Sequence, residues 1–161
     1  MKGAVVHILC VGKLKDKFYI DGAAEYVKRL GGYCKLQLTE LPGERLPQNP
    51  SGAQIDAALE KEAAAVTAKL PKGAAVVALC VEGEPLSSEK LAARLEKWTA
   101  AGKNTLVFLI GSSYGMAPSL KARADLRLSM TPMTFPHHLA RVMLLEQIYR
   151  CFKIQGGSGY H

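Results

Sequence analysis

Three short stretches carry residue types able to hold and turn over a ligand. In Ile110-Gly111-Ser112-Ser113-Tyr114-Gly115-Met116, two glycines let the backbone approach a bound molecule closely, leaving amides to donate hydrogen bonds to it. No Gly-Lys-Ser/Thr follows, so this is not a Walker loop. Nor is it Gly-x-Gly-x-x-Gly, since no acidic residue follows about twenty positions later in the fingerprint context. In isolation it reads as a plain turn. Ser129-Met130-Thr131-Pro132-Met133-Thr134-Phe135-Pro136-His137-His138 holds two prolines and two threonines in an irregular backbone, which leaves amides and carbonyls for another group to satisfy. Met130, Met133 and Phe135 have the apolar side chains to enclose a flat ring. Taken singly, each is better read as a core filler, and a histidine after proline as a helix-start residue. The third stretch, Leu79-Cys80-Val81-Glu82-Gly83-Glu84, reads as a strand end and a turn.

Other chemistries lack support. No Ser-His-Asp arrangement, paired-carboxylate motif or metal-ligand cluster emerges. The cysteines, Cys10, Cys34, Cys80 and Cys151, form no Cys-x-x-Cys pair and lie away from histidines at metal-ligand spacing. Cys10 and Cys80 sit in apolar runs, where cysteine behaves as a small hydrophobe. A reduced compartment fits better than a disulfide scaffold.

The elements that must position these stretches alternate in type. Val5 to Val11 is a short β-rich run ended by Gly12. Lys17 to Leu30 has helical spacing and stops at Gly31-Gly32. Lys35 to Leu41 alternates polar and apolar, as a half-exposed strand does. Pro42 to Gly52 is a loop. Ile55, Leu59, Glu62/Ala63, Val66 and Leu70 mark a long alanine-rich helix, ended by Pro71 and Gly73. Ala74 to Val81 and Thr105 to Ile110 are buried strands. Between them Ser87 is an N-cap candidate, with Leu86 and Leu91 as a staple, for a helix ending near Gly102. Pro118 opens a short helix, Leu126 and Leu128 form a last strand, and His138 to Phe152 is a mostly apolar helix with Glu146 and Arg150 as an i,i+4 pair. Gln155 to His161 is a glycine-rich tail. The class is α/β, a mostly parallel sheet flanked by helices. Ligands in such sheets bind beyond the carboxyl ends of the strands, where all three stretches fall.

The chain has 161 residues, enough for a single domain over residues 1–161, and no linker divides it. Its 48% hydrophobic content suffices for a core, and no apolar run nears the ~20 residues that span a bilayer. The opening apolar run is short, broken by His7, and lacks a small-residue cleavage site, so a cytoplasmic protein without a membrane partner is expected. With 21 Lys and Arg against 14 Asp and Glu, the net charge is +7, which favours a nucleic acid as partner.

Joined together, Leu-Ile-Gly-Ser-Ser-Tyr-Gly-Met, then Met-Thr-Phe-Pro-His-His, then Arg141 to Arg150 and a final Gly159-Tyr160-His161 resemble the ribosomal RNA large subunit methyltransferase H family. The resemblance spans essentially the whole chain and is most specific in the C-terminal third. It implies a SPOUT fold whose C-terminal part is tied into a deep trefoil knot, a homodimer, and S-adenosylmethionine as cofactor. It also implies methylation of N3 of a pseudouridine in helix 69 of 23S rRNA within the ribosome, with RNA rather than DNA as partner. Carried over by position, Leu79, Gly111, Met130, Thr131, Pro132, Met133, Thr134 and Phe135 would hold the cofactor. His137, Arg150, Tyr160 and His161 match the family's composite active site. There Arg150 would position RNA electrostatically, while His137 and the Tyr160-His161 tail would contact and order the base. The sequence departs from the family at Ser112 (usually glycine), at Pro132, which removes an amide donor, at Tyr114 (commonly small or acidic), and in stopping at His161 where relatives often continue with a basic residue. Two other readings remain: a SPOUT methyltransferase acting on transfer RNA, against which the Tyr-His ending argues, and a ribosome-binding module without cofactor, which Ser112 and Pro132 alone would favour.

Overall fold

In the computed structural model, which describes residues 1–157, strands and helices alternate in the order expected. They are β1 (Val5–Val11), α1 (Lys17–Leu30), β2 (Lys35–Leu41), α2 (Gly52–Ala68), β3 (Ala75–Pro85), α3 (Ser88–Ala100), β4 (Thr105–Ile110), α4 (Pro118–Arg123), β5 (Leu126–Ser129) and α5 (His137–Gln155). The five strands form one sheet in the order β2-β1-β4-β3-β5, and every neighbouring pair runs parallel.

Period-two alternation sorts each central strand onto two cores. Val6, Ile8 and Cys10 of β1 with Leu106, Phe108 and Ile110 of β4 meet α1, α3 and α5 on one face. Leu9 and Val11 with Val107 and Leu109 meet α2 and α4 on the other. Both faces are covered, which is why these strands are near-continuous apolar runs. β2, at the edge, keeps Lys35 and Gln37 exposed.

Caps fix where the helices begin. Ser87 Oγ accepts the Lys90 amide at 3.2 Å, as expected at the start of α3. α2 begins with a capping box that the loop reading passed over: Ser51 Oγ accepts the Gln54 amide at 3.1 Å, and Gln54 accepts the Ser51 amide at 2.9 Å. The loop before it is tied down, because the buried Glu62 of α2 accepts the Glu44 amide at 2.9 Å.

One expectation is corrected. The strand from Ala74 does not end at Val81 but continues to Pro85 through a bulge. Leu79 and Glu84 both lie opposite Leu128, so Cys80–Gly83 loop out of the ladder. A Cβ on Gly83 would stand 2.6 Å from the Arg127 carbonyl oxygen, so only glycine allows the strands to approach so closely there. Cys80 accordingly is only partly buried, unlike Cys10, which is fully buried as expected.

Candidate active site

The bulge within β3, the loop after β4 and the loop after β5 open at the same end of the sheet. Together they line a cleft of about 810 Å³, contributed by Leu79–Glu82, Gly111–Met116, Met130, Thr131 and Met133–His138, with Lys121 of α4 at the side. That volume falls within the range typical of cofactor sites. Its mouth leaves apolar groups uncovered: Val81, Tyr114 and Met133 are 46%, 50% and 69% exposed. Glu82, reading as bland turn in sequence, pairs with Lys121, whose hydrogen bond holds the Glu82 carboxyl below its ordinary value.

The Gly111 loop is tighter than glycine content alone suggests. Ser112 and Gly115 exchange backbone hydrogen bonds of 3.0 and 2.8 Å, closing a turn with Gly115 at φ 92°. The amides of Ser112 and Gly115 are therefore used by the turn rather than offered to a ligand. A Cβ on Gly111 would lie 2.3 Å from the Gly115 oxygen, so this position tolerates no side chain without opening the turn. In the third loop, Ser129 Oγ donates to the Thr131 carbonyl at 3.0 Å, and the Met133 amide donates to Thr131 Oγ1 at 3.1 Å. Thr131 thereby shapes the loop, while Pro132 is exposed within it and does not line the cleft.

His137 and His138 begin α5 at the cleft wall, their rings 4.0 Å apart edge to face. Burial first, then the positive surroundings of His138 and Arg141, lower the His137 pKa, so its imidazole favours the neutral form. Beneath it lies Arg141, 2% exposed, donating to Glu40 Oε2 at 2.6 Å and to the Gly12 carbonyl at 3.1 Å. The same Glu40 oxygen accepts the Leu14 amide at 3.0 Å. Burial pushes the Glu40 carboxyl up, but the Arg141 and Leu14 hydrogen bonds and the charges of Arg141 and Lys13 outweigh it, leaving a net lowering. Arg141 joins the start of α5 to the ends of β1 and β2. Sequence reading gave it no role, because an arginine inside an apolar helix shows its partner only once β2 is beside it.

Of the positions carried over by resemblance, Leu79, Gly111, Met130, Thr131, Met133, Thr134, Phe135 and His137 therefore meet around one cleft. Arg150 does not join them. Thirteen residues along α5 from His137, it stands about 20 Å away along the helix axis and pairs with Glu146 at 2.6 Å, the expected i,i+4 pair. Tyr160 and His161 lie outside the described residues. Among the described residues, no group of three or more His, Cys, Asp or Glu is placed to hold a metal ion, and no helix is long and apolar enough to cross a membrane.

Residues 5–161 match the profile of a family described as "Predicted SPOUT methyltransferase". The chain belongs to the SPOUT methyltransferase family. Its relatives in that family include a protein of Streptococcus thermophilus, 46% identical, and one of Listeria monocytogenes, 42% identical, both named ribosomal RNA large subunit methyltransferase H. Each alignment covers 97% of this chain and 98% of the relative. The SPOUT methyltransferase chain also shares its fold with solved structures at low identity. A probable methyltransferase from Bordetella pertussis aligns with TM-score 0.54 at 14% identity, over 93% of this chain and 95% of that one. A probable methylase family protein from Haemophilus influenzae aligns with TM-score 0.54 at 12% identity, over 97% and 70%.

Proposed function

We propose that this chain uses S-adenosylmethionine to methylate N3 of a pseudouridine in helix 69 of 23S rRNA. In this reading it is a cytoplasmic homodimer of one domain, residues 1–161, whose C-terminal part is tied into a deep trefoil knot. The observation that carries the proposal is the convergence of three sequence-distant loops on one cleft beyond the strand ends, in a chain of this family. The names of its relatives support ribosomal RNA as the substrate class.

The residues present fit the cofactor. Gly111 keeps the β4 loop turned tightly along the cleft, and Leu79, Met130, Met133 and Phe135 supply apolar walls for an adenine-sized ring. Bound there, S-adenosylmethionine supplies an activated methyl group on a good leaving group. The chain's own task is then alignment and exclusion of water. His137, held toward its neutral form, is suited to accept a hydrogen bond from N3–H as that proton is lost. Arg150 supplies positive charge toward the RNA. Its distance from His137 along α5 supports a site completed by the second copy.

Ribosomes from a strain lacking this modification, incubated with labelled S-adenosylmethionine and then digested to nucleosides, test the reading. Label on the helix 69 pseudouridine is the expected result, lost with Arg150→Ala. Label only on free transfer RNA, or on no RNA while the cofactor binds, overturns it.

A further inference from the structure

Four aromatic rings run from an exposed surface to the cleft wall. Phe18 packs edge-on to Tyr19 at 5.2 Å, Tyr19 lies 5.8 Å from His138, and His138 lies 4.0 Å from His137. Phe18, at the outer end, is 74% exposed, more than any other large apolar side chain described. The loop leading to it, Gly12–Asp16, exposes Lys13 and Lys15. Lys17 is already paired with Asp21, and Asp16 is the one opposing charge within the loop.

This rim is held rigid from below. Leu14 is buried with its amide on Glu40, the Gly12 amide donates to the Leu41 carbonyl at 2.7 Å, and Arg141 grips the Gly12 carbonyl. A surface already ordered loses little entropy on binding. Lysines interleaved with an open aromatic face suit a single-stranded polyanion whose bases stack, whereas a protein partner would favour a wider apolar patch.

We propose that the Gly12–Tyr19 rim is the RNA-gripping surface beside the cleft, with Phe18 stacking an unpaired base and Lys13 and Lys15 holding flanking phosphates. This rests on the RNA-modifying reading above. The target's neighbouring nucleotides would then lie along the ring row that ends at His137.

The test uses the full chain with a short fluorescein-labelled uridine-rich RNA, and ribosomes as methyl acceptor. Phe18→Ala is expected to weaken RNA binding about tenfold, as loss of one stacked base does, and to raise KM for ribosomes while kcat holds. Lys13→Glu with Lys15→Glu is expected to weaken binding and to flatten the dependence of log affinity on log salt by about 1.4, for two phosphate contacts on a single strand. S-adenosylmethionine affinity should not change in either variant. RNA affinity within about twofold of wild type in both variants overturns the proposal. So does a Phe18→Ala protein whose RNA binding is intact but whose sedimenting mass falls, since Phe18 then covers another copy. Wild type that binds RNA through Phe18 yet transfers no methyl group sinks the enzymatic reading alone.

Discussion

Gly111 sits where a strand hands over to a turn closed by Ser112 and Gly115, and a Cβ there would meet backbone, which cannot rotate away. Gly111→Ala is therefore expected to lower S-adenosylmethionine affinity by about tenfold or more, because relieving such overlap costs 1–3 kcal/mol of loop distortion. Calorimetric titration reads this directly, and unchanged affinity would place the cofactor elsewhere. Arg141 and Glu40 are a second residue-scale case. Glu40→Gln leaves the buried guanidinium without its counter-charge, but Glu40 is partly open to solvent and Gln still accepts a hydrogen bond, so about 1–2 kcal/mol is expected to be lost in urea unfolding. Acid acts on this region in one direction. Glu40 titrates below its ordinary value, so its contribution to stability is present above the usual carboxylate range and lost as pH falls through its folded value. His137, also lowered, leaves the unfolded state holding more protons, so its share likewise declines as pH drops below the ordinary imidazole value. Stability and the acid limb of kcat/KM should both weaken in that order, His137 first, and the Glu40 part should vanish in Glu40→Gln.

At the scale of elements, periodicity and caps made most of the architecture readable. The alternation in Val5–Val11 and Thr105–Ile110 is the alternation of the two cores, and the Gly31-Gly32 stop and Ser87 cap fall at the helix ends. What stayed hidden has one physical cause: it depends on a neighbouring element absent from local sequence. The bulge at Cys80–Gly83 exists because β5 approaches Gly83, and nothing in Cys-Val-Glu-Gly announces β5. Arg141 lies in a mostly apolar helix, and its ion pair becomes visible only with Glu40 of β2 beside it. Ser51 was legible, since Ser51-x-x-Gln54 is a capping-box spacing, but the surrounding prolines and glycines read as loop. Its removal by Ser51→Ala is expected to cost about 1 kcal/mol, measurable as a shift in urea midpoint with cofactor affinity retained because α2 lies on the face away from His137.

Over the whole molecule, the proposed homodimer would make the cleft and the far end of α5 two halves of one site, which a single chain does not bring together. His137 lines the cleft, while Arg150 sits about 20 Å along the same helix. A two-fold dimer whose interface sets each copy's Arg150 beside the partner's cleft would let the same chain supply both groups to each site. The composite site is what the resemblance implies, and the separation of His137 and Arg150 along α5 is the feature that the proposal uses. Tyr160 and His161, which the resemblance adds to that site, lie outside the described residues.

Mixing two inactive variants tests this account most directly. His137→Ala and Arg150→Ala, each unable to transfer methyl groups alone, would be co-refolded and assayed on ribosomes with labelled S-adenosylmethionine. If each site takes His137 from one copy and Arg150 from the other, half the dimers are mixed and one of their two sites is intact, so about a quarter of wild-type activity returns. Mixtures as inactive as either variant alone would contradict the account.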